Sequence, residues 1–421
     1  MRWLEKQSWW TLAALAAAVH LLFVVAMWPA VSERPLISDA ASYEEVARAL
    51  LAGRGFVHAD GSPVLNLMPG FPLFVALTHA LFGDSLLAPF AVHALLIGAS
   101  AALLGRATDV HAGRRAGLYA FLLLCALPAY FSFSLTLNAE VVVLTGVSLF
   151  IFATATLVSW RRGLVQGLAL AWLAATKPEF AAMLAVVALD LFGSKEGSIA
   201  KRTLRTAKGL VLPTALVAAA LLPWSARNTR VVGHPVALSS ASGYSWWLTA
   251  HRPQLFEVGA PAYIEASARC KAQHHDEFAV DSCLRNDAKR MIAEHPAYYA
   301  RTVALGVPRM LFGSQLDGIP GAEKSFGDAV RHRAWFTLFL KLGSLLAHAA
   351  VVLGGAFVAF RRRNEHIVRV FAAIVALKCF IHGLIYASPR YALHVLPVFV
   401  VLLCLWHMPK LEAGTKRATV S

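Results

Sequence analysis

Residues 9–30 read WWTLAALAAAVHLLFVVAMWPA, and eight residues later comes Ser38-Asp39-Ala40-Ala41-Ser42-Tyr43. An uninterrupted apolar run of this length is what a helix needs to cross a bilayer, for which roughly 20 residues suffice. Its apolar core is longer than that of a signal peptide and no small-x-small cleavage site follows, so it reads as an uncleaved anchor. Asp39 then falls where membrane meets water. The next 11 residues, Ser42–Ala52, place Tyr43, Val46, Ala47, Leu50 and Leu51 on one stripe, the pattern of an amphipathic helix lying on that boundary. Ser42 and Glu45 have capping-box spacing, and Gly53 and Gly55 are positioned to end the helix.

The same reading extends outward. Of 421 residues, 58% are hydrophobic and 15% charged, with a mean hydropathy of +0.58. Apolar runs recur at Leu86–Leu104, Gly117–Leu135, Val141–Ser159, Gly163–Thr176, Phe180–Gly193, Gly209–Trp224, Ala334–Phe360, Ile367–Ala387 and Ala392–His407. The expectation is an all-α polytopic bundle of about ten spans, since lipid satisfies no backbone polar group and only helices or closed barrels cross it. The run Leu67–Phe82 is too short to cross and reads as interfacial or re-entrant. Residues 1–421 form a single membrane domain without internal repeats.

A net charge of +15 raises the question of nucleic acid, and its distribution answers it. The basic residues cluster at Arg106, Arg114 and Arg115, at Arg161 and Arg162, at Lys201, Arg202, Arg205 and Lys208, and at Arg361, Arg362, Arg363 and Arg369. Placing these segments in the cytoplasm obeys the positive-inside rule and alternates with the spans. Both termini are then cytoplasmic in a bacterial inner membrane, and residues 31–85 and 225–333 face outward. The charge reports topology, and no nucleic-acid partner is expected. Of five cysteines, Cys125, Cys379 and Cys404 fall in spans. Cys270 and Cys283 share the long outward loop, where both a disulfide and two free thiols are compatible with the spacing.

Several polar residues sit at span ends expected on the outer side. Asn138 and Glu140 follow the third span, and Lys177, Pro178 and Glu179 interrupt Gly163–Gly193. Arg227 and Asn228 follow the seventh span, and Arg390-Tyr391 precedes the tenth. Charges at such depth are costly and point to function, although each alone also reads as a snorkelling side chain or an ion pair; Lys177 and Glu179 can neutralise one another. Together Lys177, Arg227 and Arg390 have the chemistry to cage a phosphate. Asp39 reads either as a helix N-cap or as a general base taking a proton from an acceptor hydroxyl. Tyr43, Glu140, Glu179, Trp246 and Tyr391 are candidate substrate-lining residues. There is no Walker loop, no dinucleotide fingerprint, no HExxH and no Cys/His spacing of a metal site, and His274-His275 reads as solvated loop.

Taken in order, Asp39-x-x-x-Tyr43, Gly53-x-Gly55-Phe56, Met68-Pro69-Gly70-Phe71-Pro72, Asn138-Ala139-Glu140, Thr176-Lys177-Pro178-Glu179, Pro223-Trp224-x-x-Arg227-Asn228 and Pro389-Arg390-Tyr391 resemble the GT-C superfamily. The branch they resemble is glycosyltransferase family 39, which includes protein O-mannosyltransferases and the lipid A aminoarabinose transferase. The resemblance implies an inverting transferase that uses a polyprenyl-phosphate sugar, with Asp39 as base and a lipid, glycan or protein hydroxyl as acceptor. No organic cofactor is implied. Many relatives carry a second acid directly after the Asp; Ala40 stands there, which counts against a divalent metal held by an acidic pair. The rival class is a secondary transporter or lipid-carrier flippase, or a non-catalytic assembly partner; the lack of internal repeats and the one-sided placing of the charges count against transport.

The charge pattern makes a topological prediction. Reporter fusions at Gly197, Glu265 and the C-terminus should read inside, outside and inside. The same side reported at Gly197 and Glu265 would refute the arrangement.

Overall fold

The computed structural model describes all residues except 194–197, 237, 252–260, 275, 314, 317, 321, 323–325 and 408–421. Every regular element among the described residues is helical, and the one bridge between extended segments joins Val57 to Pro63. Each of the ten expected spans has a helical counterpart. Five helices are long and apolar enough to cross a membrane: Trp9–Val31, Leu87–Ala112, Ile199–Val232, Trp335–Arg361 and His366–Ile385. A sixth crossing is the pair Arg114–Ala126 and Pro128–Ser134, bent by 52°. Proline removes a backbone donor and cannot continue the preceding helix, and Pro128 stands at that bend. The remaining spans are shorter or broken: Glu140–Thr156, Ser159–Thr176, Leu184–Gly193 entered through a 3₁₀ turn at Pro178–Met183, and Leu396–Cys404.

Large apolar side chains stand exposed on the outer faces of the long helices, including Trp10, Leu22, Val211, Phe336, Phe339 and Phe380. A water-soluble surface does not carry so many, whereas lipid tails cover them without cost. The protein is a multi-pass membrane protein. Its core runs through Leu87–Ala112, which packs on Trp9–Val31, Arg114–Ala126 and Glu140–Thr156.

The segment after the first span differs in detail from the sequence expectation. The helix starts four residues early and covers Ser38–Leu51. The Ser42/Glu45 capping box does not form. Glu45 instead accepts from the Ala59 backbone N–H at 2.6 Å and lies 3.3 Å from His58 Nδ1, because the chain folds back after Gly53 and Gly55, both at positive φ. Leu51 is exposed, whereas Tyr43, Val46 and Ala47 are buried. The short apolar run forms Gly70–Phe82, a 13-residue helix beside Ser38–Leu51. Gly70, of the Met68-Pro69-Gly70 motif, is the first residue of this helix. A Cβ there would lie 2.6 Å from Thr176 Oγ1 and 2.8 Å from the Ala175 carbonyl, so only glycine lets this helix start against the end of Ser159–Thr176.

The Pro223-Trp224-x-x-Arg227-Asn228 motif is a clamp on the loop that follows Ser38–Leu51. Arg227 donates through Nη1 to the Val64 carbonyl at 2.7 Å and through Nη2 to the Phe56 carbonyl at 2.7 Å. Trp224 meets Phe56 edge-on at 4.6 Å, and Asn228 donates to the Leu238 carbonyl at 2.8 Å.

Residues 242–312 form a small helical cap: Ser242–Ala250, Pro261–Gln273, Glu277–Glu294 and Pro296–Phe312. Pro296 opens its helix, and Pro308 sits inside the same helix without ending it. The cap has its own core of Trp247, Leu248, Ala266, Cys270, Leu284 and Ala288. Cys270 and Cys283 are joined by a disulfide inside it. His274 directly follows Pro261–Gln273, and His275 lies outside the described residues.

Two measurements follow from these contacts. Arg227→Ala removes charge-assisted bonds to two loop carbonyls and should lower stability by roughly 2 kcal/mol, read as a lower thermal midpoint in detergent. An unchanged midpoint with weakened donor use would make Arg227 a ligand-binding residue instead. Alkylation of unreduced protein should leave Cys270 and Cys283 unlabelled. Reduction should cost about 3 kcal/mol in the chain-entropy account of a loop this short, and full labelling without reductant would exclude the bond.

Candidate active site

Two X-Pro steps build the site. A residue before proline is pushed out of the α region. Lys177, before Pro178, is extended (φ −143°, ψ 105°) and ends Ser159–Thr176. Ser388, before Pro389, is likewise extended (φ −89°, ψ 143°) and starts the 3₁₀ turn Pro389–His394. Each break halts a helix within the bundle and turns a cation, Lys177 or Arg390, towards a common point. Glu140 arrives there as the first residue of Glu140–Thr156, and Asp39 as the second residue of Ser38–Leu51.

The four charges interlock. Arg390 Nη2 lies 2.7 Å from Asp39 Oδ2, and Arg390 Nε lies 3.8 Å from Glu140 Oε1. Lys177 Nζ is 3.6 Å from the same Glu140 oxygen and 4.9 Å above the Tyr391 ring. The Glu140 side chain is 1% exposed, and its oxygens lack a close hydrogen-bond partner. The Asp39 side chain is 38% exposed and remains reachable from outside. Tyr43 is buried beneath it, edge-on to Phe71 at 4.7 Å, and within electrostatic reach of Asp39, Lys177, Glu140 and Arg390. Asp39 does not act as the N-cap: that position is Ile37, which has no side chain to cap with. Burial works against ionisation of Asp39, but the charge and hydrogen bond of Arg390 and the charge of Lys177 outweigh it and hold the carboxyl below its ordinary value.

Five of the expected residues thus come together: Asp39, Tyr43, Glu140, Lys177 and Arg390, with Tyr391 alongside. Glu179 stands one layer further in. It does not neutralise Lys177; its Oε1 takes a hydrogen bond from Lys378 Nζ at 3.2 Å, while Lys177 pairs with Glu140. Arg227 is not in the cluster, because its guanidinium holds the loop carbonyls described above. Trp246 packs with the core of the cap. Tyr244 of the cap is the aromatic that senses Asp39 and Tyr391, and Tyr386 meets Tyr391 edge-on at 6.2 Å.

Sequence reasoning passed over Lys378, His382 and His394. Lys378 is a fully buried lysine in an apolar span, and His382 lies one turn later on the same face. A charge inside a span was the available signal. Its meaning depended on Glu179, 199 positions away.

No protein-family model matches the chain, and no curated protein matches it. Solved structures do. The oligosaccharyltransferase of Archaeoglobus fulgidus in its apo form is similar with a TM-score of 0.51 and 12% identity, over 96% of this chain and 51% of its own. The same protein, AglB, with an inhibitory peptide and a dolichol-phosphate gives 0.47 and 11%, over 93% and 50%. ArnT of Cupriavidus metallidurans bound to undecaprenyl phosphate gives 0.43 and 15%, over 94% and 77%. The chain spans about half the length of the archaeal enzyme. The chain shares the helical membrane fold of that oligosaccharyltransferase.

Proposed function

We propose that the protein transfers a sugar from a polyprenyl-phosphate donor to a hydroxyl acceptor at the outer face of a bacterial inner membrane, with inversion at the anomeric carbon. The observation that carries this reading is the convergence of one reachable carboxylate, Asp39, with two cations, Lys177 and Arg390, delivered by three separate elements. The donor's lipid tail lies among the spans, and its phosphate is held by Lys177 and Arg390. Asp39 takes the proton of the acceptor hydroxyl as that oxygen attacks the anomeric carbon. The bond from that carbon to the phosphate oxygen breaks, the electron pair stays on the phosphate, and the two cations stabilise the charge that develops there. Tyr43 and Tyr391 line the site, and Tyr244 and Tyr386 offer aromatic edges on its cap side. The membrane fold shared with an oligosaccharyltransferase supports transfer over transport, as an analogy at the level of the fold.

Arg390 has two roles in this scheme. In the ligand-free protein its guanidinium sits on Asp39 at 2.7 Å and weakens that carboxylate as a base. A donor phosphate competes for the same guanidinium. Its arrival draws Arg390 away and leaves Asp39 free, so base and leaving-group stabilisation are assembled together by the donor.

Asp39→Asn keeps the size of the side chain and removes the proton acceptor. Transfer should fall roughly a hundredfold to ten-thousandfold, the usual worth of a general base, with membrane abundance unchanged. Near-normal turnover by the purified variant would remove Asp39 from the mechanism. Arg390→Lys keeps the charge without the planar fork and should raise the donor KM, and Arg390→Ala should raise it further. Because Asp39 is held below its ordinary value of 3.8, it stays ionised as the pH falls, and the acid limb of kcat/KM should lie below that value. An acid limb at about pH 6 would assign the base to another group. Mass spectrometry of envelope lipids and glycans with and without the protein identifies the sugar and its acceptor.

A further inference from the structure

Beneath the Asp39 cluster lies a second group of side chains that the transfer scheme leaves without a task. Glu179 stands on the 3₁₀ turn that follows Lys177, His382 in the last turn of His366–Ile385, and His394 at the end of the 3₁₀ turn that carries Arg390. One ligand atom from each lies within 4.8 Å of the others, and His382 Nε2 is 3.7 Å from Glu179 Oε1. His394 is completely buried with both ring nitrogens unpaired, and Nε2 of the buried His382 is unpaired as well. A buried imidazole that finds no partner is costly, and three such nitrogens around one carboxylate call for something that accepts their lone pairs. The His382 ring also bonds the backbone at Tyr386. On the bonds present, that bond falls to Nδ1 and leaves Nε2, the nitrogen facing Glu179, as the lone-pair nitrogen.

We infer that Glu179, His382 and His394 form a binding site for one zinc-class divalent ion. Two imidazoles and one carboxylate are the donor set of a three-ligand zinc site, with the fourth position open to water or to an oxygen of a bound ligand. The same donor set disfavours magnesium and calcium, which take oxygen ligands. The surroundings match the outer layer such sites need. Tyr391 stacks on His382 at 4.3 Å and fixes the ring, and Lys378 Nζ bonds the Glu179 carboxylate at 3.2 Å while lying 3.6 Å over the Phe180 ring. The ion's charge is faced by Lys378 and, from the layer above, by Lys177 and Arg390, and Glu179 is the carboxylate that offsets it. Closing the ligand atoms to zinc–ligand distances of about 2.0–2.2 Å needs only a rotamer-scale contraction of the group.

A second group with metal-type composition, Glu44, His79 and Asp84, is already satisfied. Arg48 binds Glu44 and Asp84 at 2.7 Å each, and His79 lies 3.0 Å from Glu44 and 3.3 Å from the Gly83 carbonyl. It serves as the internal control. Purified full-length protein without a histidine tag is exposed to zinc, desalted and analysed by elemental mass spectrometry. Wild type should keep about one zinc per chain; His382→Asn and His394→Ala should each lose most of it, and His79→Ala should keep it. Magnesium in excess should not displace the zinc. Less than about a tenth of an equivalent on wild type, or wild-type zinc on His394→Ala, overturns the assignment, as does loss of zinc on His79→Ala. X-ray absorption on wild type tests the site without any variant. A first shell with two imidazoles and oxygen supports it, and a sulfur-containing or histidine-free shell refutes it. Both readouts are metal content and coordination, so the binding site stands or falls separately from the transfer reaction.

Discussion

The contact on which the rest of this site depends is the ion pair between Arg390 and Asp39, 351 positions apart in a chain of 421 residues. It ties the start of Ser38–Leu51 to the turn that leads into Leu396–Cys404. The arrangement around it is charge-balanced. Asp39, Glu140 and Glu179 face Arg390, Lys177 and Lys378, and each carboxylate has a cation within 4 Å. In a bundle interior an unpaired charge is expensive and a paired one tolerable, so balance lets so many ionisable groups persist at this depth. It also means that any anion binding here does so by exchanging partners with the resident carboxylates. In the proposed reaction this would couple a donor phosphate to the state of Asp39.

Balance of charge would be of little use without rigid placement, and the backbone supplies that through proline. The steps at Lys177-Pro178 and Ser388-Pro389 end regular helix and replace it with 3₁₀ turns. Such irregular backbone is tolerated at membrane depth only where protein packs around it. The cap provides the packing at one of them. Thr249 of the cap donates to the Ile385 carbonyl and Tyr299 to the Leu384 carbonyl, while Gln315, just beyond the cap, donates to the Pro389 carbonyl at 3.1 Å. Two of these satisfy the orphan carbonyls at the end of His366–Ile385, where no intrahelical partner exists. The cap therefore satisfies the end of the helix that leads towards the site.

Several landmarks that look chemical in a linear reading turn out to be architectural. Gly70 is required by contact with the backbone at Ala175, and Arg227 holds the carbonyls of Phe56 and Val64. Both fix segments that follow the helix bearing Asp39: Arg227 the loop at Phe56 and Val64, and Gly70 the start of Gly70–Phe82. An arginine at a membrane face is ambiguous in sequence because its fork suits phosphate and carbonyl oxygens alike. Which of them it meets is decided by what lies within a few ångströms.

Read alone, the amino-acid sequence determined the membrane character, the succession of apolar helices, the short amphipathic helix after the first of them and the two proline breaks. These follow from local quantities: apolar run length, period, and the steric effect of a proline on its neighbour. It also singled out Asp39, Glu140, Lys177 and Arg390, because charge next to an apolar span is conspicuous wherever it occurs. The pairing belonged to tertiary structure. That Lys177 serves Glu140 rather than Glu179, that Ile37 rather than Asp39 occupies the N-cap, and that two histidines of the last third of the chain converge on Glu179 are results of packing between segments far apart in the chain. Spacing along the chain carries no record of such neighbours, since the distance between two side chains is set by how the intervening helices pack.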